Sequence, residues 1–334
     1  MHRTRSKFLL PIGITYLFSS ALVFAQGDDF PTENTFGLTG DAVFLTRGRG
    51  KTRTLAIDTS IPVVTPESNI VLESDGLNED FSYEPGYRVA GTFIVNNSTS
   101  FEATFLQIFE WGTSEEVDAN GTLQFPFERA GYANDFTNAQ KARAHYETNF
   151  LTAEFNYWEA ITPRNNNYFS FSAIFGARYA HISEEFKLTY TRSPNKSDYK
   201  TSTENDIIGV QVGGDLQWNP TRKLSWDLFV KIGGYVNLDE QKTLLRDNNN
   251  TTVIQSFHVN RTRGTFIADG GLGALYRIKP WLNFHAGYEV FYIAGVALAP
   301  SQLSTKKHTN TSGEIIDNDS ICIHGFWVGL TLSF

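Results

Sequence analysis

One cysteine in 334 residues, Cys322, leaves nothing for an internal disulfide framework or a four-cysteine zinc site. Basic residues are the minority, 28 Lys and Arg against 36 Asp and Glu. The formal charge of -8 excludes the basic face that nucleic-acid binders carry. Beyond the N-terminus there is no apolar run of the roughly 20 residues that a membrane-spanning helix needs. The mean hydropathy of -0.27 is too low for a bundle of such helices. Hydrophobic residues, at 41%, are nonetheless too many for a disordered chain.

What the sequence does contain starts with a leader-like segment. Arg3, Arg5 and Lys7 precede a mostly apolar stretch over 8–24, and Val23-Phe24-Ala25 fits the end of a cleavable signal peptide. We therefore expect residues 1–25 to be a secretory signal and 26–334 the folded domain. Gln26, where a lipoprotein needs cysteine, excludes lipid attachment at that point. Removing the leader leaves 25 basic against 36 acidic residues, a formal charge of -11. An acidic exported chain without further spanning helices is either soluble or an outer-membrane barrel.

Alternation separates those two. Phe81, Tyr83, Pro85, Tyr87, Val89, Phe93 and Val95 alternate with Ser82, Glu84, Arg88 and Thr92, the period of a strand with one apolar and one polar face. The same pattern runs from Phe169 to Tyr179, from Ile208 to Trp218, from Leu224 to Ile232 and from Leu282 to Tyr292. A soluble sandwich also alternates. Here the runs are far longer than the usual 5–6 residues of a soluble strand. Their apolar faces carry no charge, and Gln107 is the one clear polar exception. Short connections (96–100, 162–167, 219–223, 279–280) also alternate with long ones (48–79, 114–144, 187–202, 241–256, 297–319), as periplasmic turns alternate with external loops.

The expected fold is all-β, a closed antiparallel up-and-down transmembrane β-barrel of about ten strands. Its runs are 36–47, 80–95, 101–113, 145–160, 168–186, 203–218, 224–240, 257–278, 281–296 and 320–334. Leu55, Ile57, Val63, Val64, Ile70 and Val71 in the first long loop could form a further hairpin, making twelve strands the alternative. Trp158, Trp218, Trp226, Trp281 and Phe334 lie beside short turns and suggest an interfacial aromatic girdle. If 219–223 is a loop, Trp218 pairs with Leu224, which sets Gln211 against Lys231 and Asp215 against Asp227. Two facing carboxylates would form a pH-sensitive pair. By the same parity Val95 pairs with Phe101, and Arg88 lies diagonal to Glu110. Pro85 cannot donate in a closed ladder, so a bulge or strand end is expected there.

With these strands placed, several segments resemble the beta-barrel porin-7 family of planctomycete-type outer-membrane proteins. They include Gly40-Asp41-Ala42-Val43-Phe44-Leu45, Phe81-Ser82-Tyr83-Glu84-Pro85-Gly86-Tyr87-Arg88 and Gly209-Val210-Gln211-Val212-Gly213. Lys231-Ile232-Gly233-Gly234-Tyr235-Val236-Asn237 and Ala294-Gly295-Val296-Ala297-Leu298-Ala299 continue the series in order. The resemblance implies an outer-membrane barrel with a porin-like label and carries over no substrate or catalytic residue. The terminal strand ending in Phe334 looks like the signal read by the barrel assembly machinery. Outer-membrane lipid and lipopolysaccharide are the other expected partners.

Among local motifs, Gly48 to Thr52 ends like a phosphate-binding loop, but position 45 is Leu and no strand-to-helix turn is expected. Arg47, Arg49, Lys51 and Arg53 read as a solvated rim loop that could also pair with lipopolysaccharide phosphates. Asn97-Ser98-Thr99 and Asn250-Thr251-Thr252 read as turn residues. Glu67, Glu73, Asp75, Glu79 and Asp80 fit no calcium loop. A phospholipase would need Ser and His within hydrogen-bond reach. His181 and His324 lie near the expected outer rim without a familiar nucleophile pattern, so no catalytic site, cofactor or metal is expected. The informative set is the polar face itself: Glu84, Arg88, Glu102, Glu110, Glu154, Arg178, Glu184, Asp215, Asp227, Lys231, Asp269, Arg277 and Glu289. Nine are acidic and four basic. In a narrow bore they must pair or meet water. They could form an ion-pair plug or line a narrow, mildly cation-selective pore. Single-channel conductance separates the two.

Overall fold

The computed structural model describes residues 36–48, 50–65, 67–79, 81–96, 98–128, 131–162, 168–305, 315–316 and 318–334. The leader at 1–25 lies outside them, as do Arg49, Asp80, Asn97 and most of the short connection at 162–167. No helix among the described residues is long and apolar enough to cross a membrane.

Among the described residues, twelve antiparallel strands form one sheet: β1 (Phe36–Arg47), β2 (Thr54–Asp58), β3 (Ile70–Glu73), β4 (Glu84–Ile94), β5 (Thr99–Gln124), β6 (Ala139–Ala160), β7 (Phe169–Arg192), β8 (Asn195–Trp218), β9 (Leu224–Asp247), β10 (Thr252–Lys279), β11 (Leu282–Val296) and β12 (Asp319–Ser333). The order is β3-β2-β5-β4-β1-β12-β11-β10-β9-β8-β7-β6, and β6 pairs back onto β5. Ten strands therefore close a ring. The hairpin expected in the first loop exists as β2 and β3 but stays out of the ring, hanging from the end of β5 through Ile57↔Gln124. It continues into the short helix α1 (Ser74–Glu79).

The neighbours β1 and β4 share one bridge, Phe36↔Phe93. Side chains also cross this seam: Thr46 Oγ1 donates to the Phe81 carbonyl at 3.0 Å, and Arg88 reaches Asp41. Pro85 sits at the start of β4, outside the β4–β5 ladder, which begins at Gly86↔Ile108.

The long loops inferred from the sequence are mostly strand. From β5 to β10 the strands run on for 22 to 28 residues. Along each of them the outward face changes chemistry once. On β8 it is apolar from Trp218 to Ile208 and then reads Asp206, Glu204, Ser202 and Lys200. On β6 it passes from Phe155 and Leu151 to Asn149, Glu147, His145 and Arg143. Each apolar stretch matches the roughly 9–11 tilted residues that cross a bilayer. Beyond it a six-strand wall stands in water. Gln107, the polar exception in the belt, accepts from the Tyr87 hydroxyl at 3.1 Å.

The inward face inverts the other way. Inside the belt it is polar and charged. Inside the projecting wall it is mainly apolar on β6 and β7, with Tyr146, Phe186 and Tyr190 almost wholly buried, whereas β8 and β9 turn Thr201, Thr203, Asn205, Asn237, Asp239, Gln241 and Thr243 into the same interior beside Tyr199, Phe125 and Phe136. Leu55, Leu72 and Leu77 of the β2–β3–α1 unit join this core, as do Leu298 and Leu303 around a 3-10 turn at Ala299–Gln302. Backbone groups of the inserted segments and of β1 are satisfied by side chains of the wall. Tyr190 donates to the Leu55 carbonyl at 2.7 Å, and Trp111 Nε1 donates to the Leu45 carbonyl at 2.9 Å. Asn205 serves both the N–H of Ala297 (2.8 Å) and its carbonyl (2.9 Å).

The outer tips of three hairpins are tied by two carboxylates. Asp135 accepts from Ser197 Oγ (2.6 Å), Asn249 N (2.9 Å) and Asn195 Nδ2 (3.1 Å). Asp247 accepts from Asn134 N (2.7 Å) and Asp135 N (2.8 Å). The turn after Asp247 is an Asn248-Asn249-Asn250 run with φ of 54°, 56° and 62°, left-handed values that asparagine tolerates better than most residues. Burial works against the Asp135 charge, but the bonds from Ser197, Asn249 and Asn195 outweigh it and hold the carboxyl below its usual 3.8. The tie is therefore complete above that value and weakens as pH falls below it. Asp135→Ala, which leaves those donors unpaired, should destabilise the tips by about 1–3 kcal/mol. Hydrogen exchange at 195–198 and 248–251 should rise at neutral pH. Unchanged protection would refute the tie.

Two registers differ from expectation by two residues. Trp218 pairs with Trp226, not Leu224, and Asp215 stands opposite Phe229 while Asp227 faces Gln217. Asp215 and Asp227 are thus offset rather than opposed, and Gln211 faces Gly233 rather than Lys231. The loop is wider because Thr221 Oγ1 accepts from Leu224 N (3.0 Å) and Ser225 Oγ bonds Asn219 Oδ1 (2.6 Å), holding 219–225 out of the β8–β9 ladder. At β4–β5 the turn is instead tighter, with Asn96 Oδ1 accepting from Ser98 N (2.8 Å) and Thr99 N (3.0 Å). Phe101 therefore meets Phe93, not Val95. A two-residue error preserves facing, so the assignment of lipid and lumen sides is unaffected.

Candidate functional site

The bore is layered along the barrel axis, and strand alternation determines which side chains enter each layer. At the short-turn end are Gln217, Ser225, Asn283, Thr331 and Thr39, followed by Asp215, Asp227 and Glu102. Asp227 and Glu102 lie within electrostatic range of Asp215. Arg277, at the mouth, donates to the Arg222 carbonyl at 2.8 Å.

Above this lies an ion-pair layer made of two clusters. Arg88 binds Asp41 through Nε (2.6 Å) and Glu289 through Nη1 (2.7 Å), bridging β1 and β11 across the bore. His285 Nε2 meets the other Asp41 oxygen at 2.6 Å, and its Nδ1 faces Thr331 Oγ1 at 3.2 Å. Arg178 spans Glu154 (2.7 Å) and Asp269 (2.5 Å), and Lys231 reaches the same two carboxylates at 2.7 and 3.3 Å. Gln211 Nε2 closes the cluster on Glu154 (2.8 Å) and Asn156 (2.6 Å). Such groups are tolerated in a bore because each charge has a partner at hydrogen-bond distance.

Val43, Leu106, Phe150, Ile182, Ile267 and Phe291 form the next layer, all nearly inaccessible. One further charged pair is set into the apolar side. Arg47 Nη1 meets Glu184 Oε1 at 2.6 Å, Thr148 at 2.5 Å and the Tyr146 hydroxyl at 2.8 Å. Glu184 Oε2 accepts from Ala299 N at 2.8 Å, and both charged side chains are 0% exposed.

Of the expected polar-face residues, the structure gathers Arg88, Glu154, Arg178, Lys231, Asp269 and Glu289 into one layer. It places Glu102, Asp215 and Asp227 below that layer and Glu184 above it. Glu84 keeps the inward parity but sits at the end of β4, bonded to Ser82 in the exposed zone. Glu110 does not face the bore. A register shift between Ile108 and Trp111 turns Glu110 outward and Trp111 inward. Arg47 is not part of a solvated rim cluster, since β1 carries it inside. Trp158 shares the inward parity of Asn156 and Glu154 and is not in the girdle, whereas Trp218, Trp226, Trp281 and Phe334 face outward.

Asp41 and His285 belong to the inner network but lie outside the expected polar-face set, Gln211 takes the lumen side that alternation on β8 gives it, and Arg47, expected in a rim loop, is drawn inside. On β1 both faces are apolar beyond Asp41 (Ala42 and Phe44 outside, Val43 and Leu45 inside), so alternation carries no signal there. The cue for Arg47 is parity counted onward along β1 from Thr39 and Asp41.

No family model matches the chain, and no curated protein does. Among solved structures, the outer membrane protease OmpT from Escherichia coli aligns with a TM-score of 0.53 at 8% identity, over 91% of this chain and 97% of that one. The translocator domain of the autotransporter NalP from Neisseria meningitidis aligns at 0.35 and 10% identity, over 90% and 89%. The likeness to OmpT is one of fold alone. With the apolar belt, the closed ring and the polar bore, it defines the class: this is an outer-membrane β-barrel.

Proposed function

We propose that this barrel is non-conducting and that its role is structural or adhesive, holding a rigid β-wall above the outer membrane. The observation that carries this reading is the filled outer half of the bore, where Tyr146, Phe186, Tyr190, Leu55 and Leu72 are at most 2% exposed. A core packed to that degree obstructs the outer half of the bore. The porin-7 resemblance, export by the leader, insertion through the Phe334 strand and contact with lipopolysaccharide belong to the same proposal.

A second reading, a narrow and mildly cation-selective pore, is favoured by the charge balance within the belt. Seven carboxylates (Asp41, Glu102, Glu154, Asp215, Asp227, Asp269 and Glu289) stand against Arg88, Arg178 and Lys231. If the hairpin unit over 54–79 swung out, cations would see an acidic approach. The test is single-channel recording in planar bilayers with protein whose fold is verified by heat-modifiable mobility. Silence is expected. Cation-selective steps from the intact chain would overturn the closed reading in favour of the pore.

A further inference from the structure

Outside the membrane, the wall carries cross-strand polar groups on its outer face. Most are simple ammonium–carboxylate pairs, such as Lys141–Glu116 at 2.6 Å and Lys187–Asp198 at 3.0 Å. One set differs. Ser114 on β5 and His145 on β6 are direct cross-strand partners, with Ser114 Oγ 2.7 Å from His145 Nδ1. Glu147, two residues on and therefore on the same face, places Oε1 at 2.7 Å from His145 Nε2. The Thr113 carbonyl lies 3.1 Å from Nδ1.

The order of groups matters more than their presence. At Tyr179, Asp206 and His181 the carboxylate is central, and one oxygen, Asp206 Oδ1, meets both the hydroxyl (2.5 Å) and the ring (2.9 Å). No imidazole faces that hydroxyl, which is a phenol. At Tyr288 and His324 (2.6 Å) the hydroxyl is a phenol in the lipid-facing aromatic cluster. Thr331, His285 and Asp41 run in the order alkyl hydroxyl, imidazole, carboxylate, but they are buried in the bore with 3.2 Å between hydroxyl and ring; Ser114, His145 and Glu147 run in that same order on the outer face, with 2.7 Å at both steps. In that order a hydroxyl proton can pass to one ring nitrogen while a carboxylate holds the proton on the other. The Thr113 carbonyl then accepts from the Nδ1–H that the transfer creates. The three side chains stand on laddered strands, and the ring and carboxylate are 38% and 33% exposed, so the site is both fixed and open to the medium.

We propose that Ser114, His145 and Glu147 form a serine-type site for hydrolysis of carboxylic esters at the cell surface. Ser114 Oγ bonds to the ester carbonyl carbon, and its proton moves to His145 Nδ1. The tetrahedral adduct collapses, the bond to the alcohol oxygen breaks, and the Nδ1 proton leaves with the alcohol. Water then attacks the acyl-serine. One water proton passes to Nδ1 and on to Ser114 Oγ, which releases the carboxylic acid and restores the serine. Ser114 and His145 are the catalytic residues, and Glu147 positions the ring by accepting from Nε2–H.

The full chain in detergent, with folding checked by heat-modifiable mobility, would be treated with a fluorophosphonate and examined by intact mass and peptide mapping. One adduct on Ser114 is expected, absent in Ser114→Ala. His145→Gln should slow labelling by about 100-fold or more, the usual contribution of a general base. Glu147→Gln should slow labelling too, and the same order should appear in hydrolysis of p-nitrophenyl acetate. No adduct on Ser114 in folded protein would overturn the proposal. So would labelling that proceeds unchanged in His145→Gln, because a serine that needs no base is not activated by this ring.

Discussion

Val212→Arg should cost about 2–4 kcal/mol of folding free energy in lipid vesicles, the penalty for Arg on the lipid face near mid-depth. Val212 lies outward in the apolar stretch of β8 and is 49% exposed, so a guanidinium there has lipid as its neighbour. Glu204 occupies the same face of the same strand beyond Ile208, and it stands opposite Glu240. Glu204→Arg puts the same side chain in water and removes a like-charge cross-strand pair. It should stay within about 0.5 kcal/mol of the parent, as surface substitutions usually do. Reversible urea titration of both variants in vesicles measures the difference. Equal costs would place the belt edge elsewhere. A larger cost for Glu204→Arg would turn the barrel inside out.

The largest loss is expected at the pair enclosed by the apolar core. Arg47→Met strands the Glu184 carboxylate at a site with no exposure, where breaking a buried ion pair typically costs about 3–5 kcal/mol. Thr148 and the Ala299 N–H remain as its partners, too few to replace a full charge. Changing both residues, Arg47→Met with Glu184→Leu, should recover most of the loss, because two apolar side chains suit the surrounding Tyr146, Phe81 and Phe186. The same vesicle titration reports this. If the double variant is no more stable than the single one, the pair is not the source of the penalty.

How much of this was legible beforehand depends on the solvent on each side of a strand. From Phe169 to Tyr179 and from Ile208 to Trp218, lipid outside and a polar bore inside impose strict alternation, so facing could be assigned residue by residue. That assignment survives a register error of two. Beyond the belt, water replaces lipid and the apolar core replaces the bore. On β6 and β7 the alternation continues with its sign reversed, on β8 and β9 both faces turn polar, and Glu116, Arg143, Lys187 and Lys200 on the outer face make those segments look like loops. The single-residue slip at Ile108–Trp111 was equally invisible, because Phe109 and Trp111 are both aromatic and both suit a lipid face.

Ser114 and His145, 31 residues apart, show a related limit. Nothing in either neighbourhood signals the other, and only the β5–β6 register brings them together. The same holds for Arg47 and Glu184, separated by 137 positions.

Local sequence determined what alternation, turn chemistry and composition can encode: an all-β barrel, ten strands in its ring, the faces within the belt, and most of the charges in the bore. Tertiary structure alone decided where the hairpin at 54–79 goes, which acid meets which base, and that the outer half of the bore is filled. The physical reason is that facing is a property of one strand and its solvent. Pairing and plugging depend on distances across a closed ring, between residues whose separation along the chain carries no information about their separation in space.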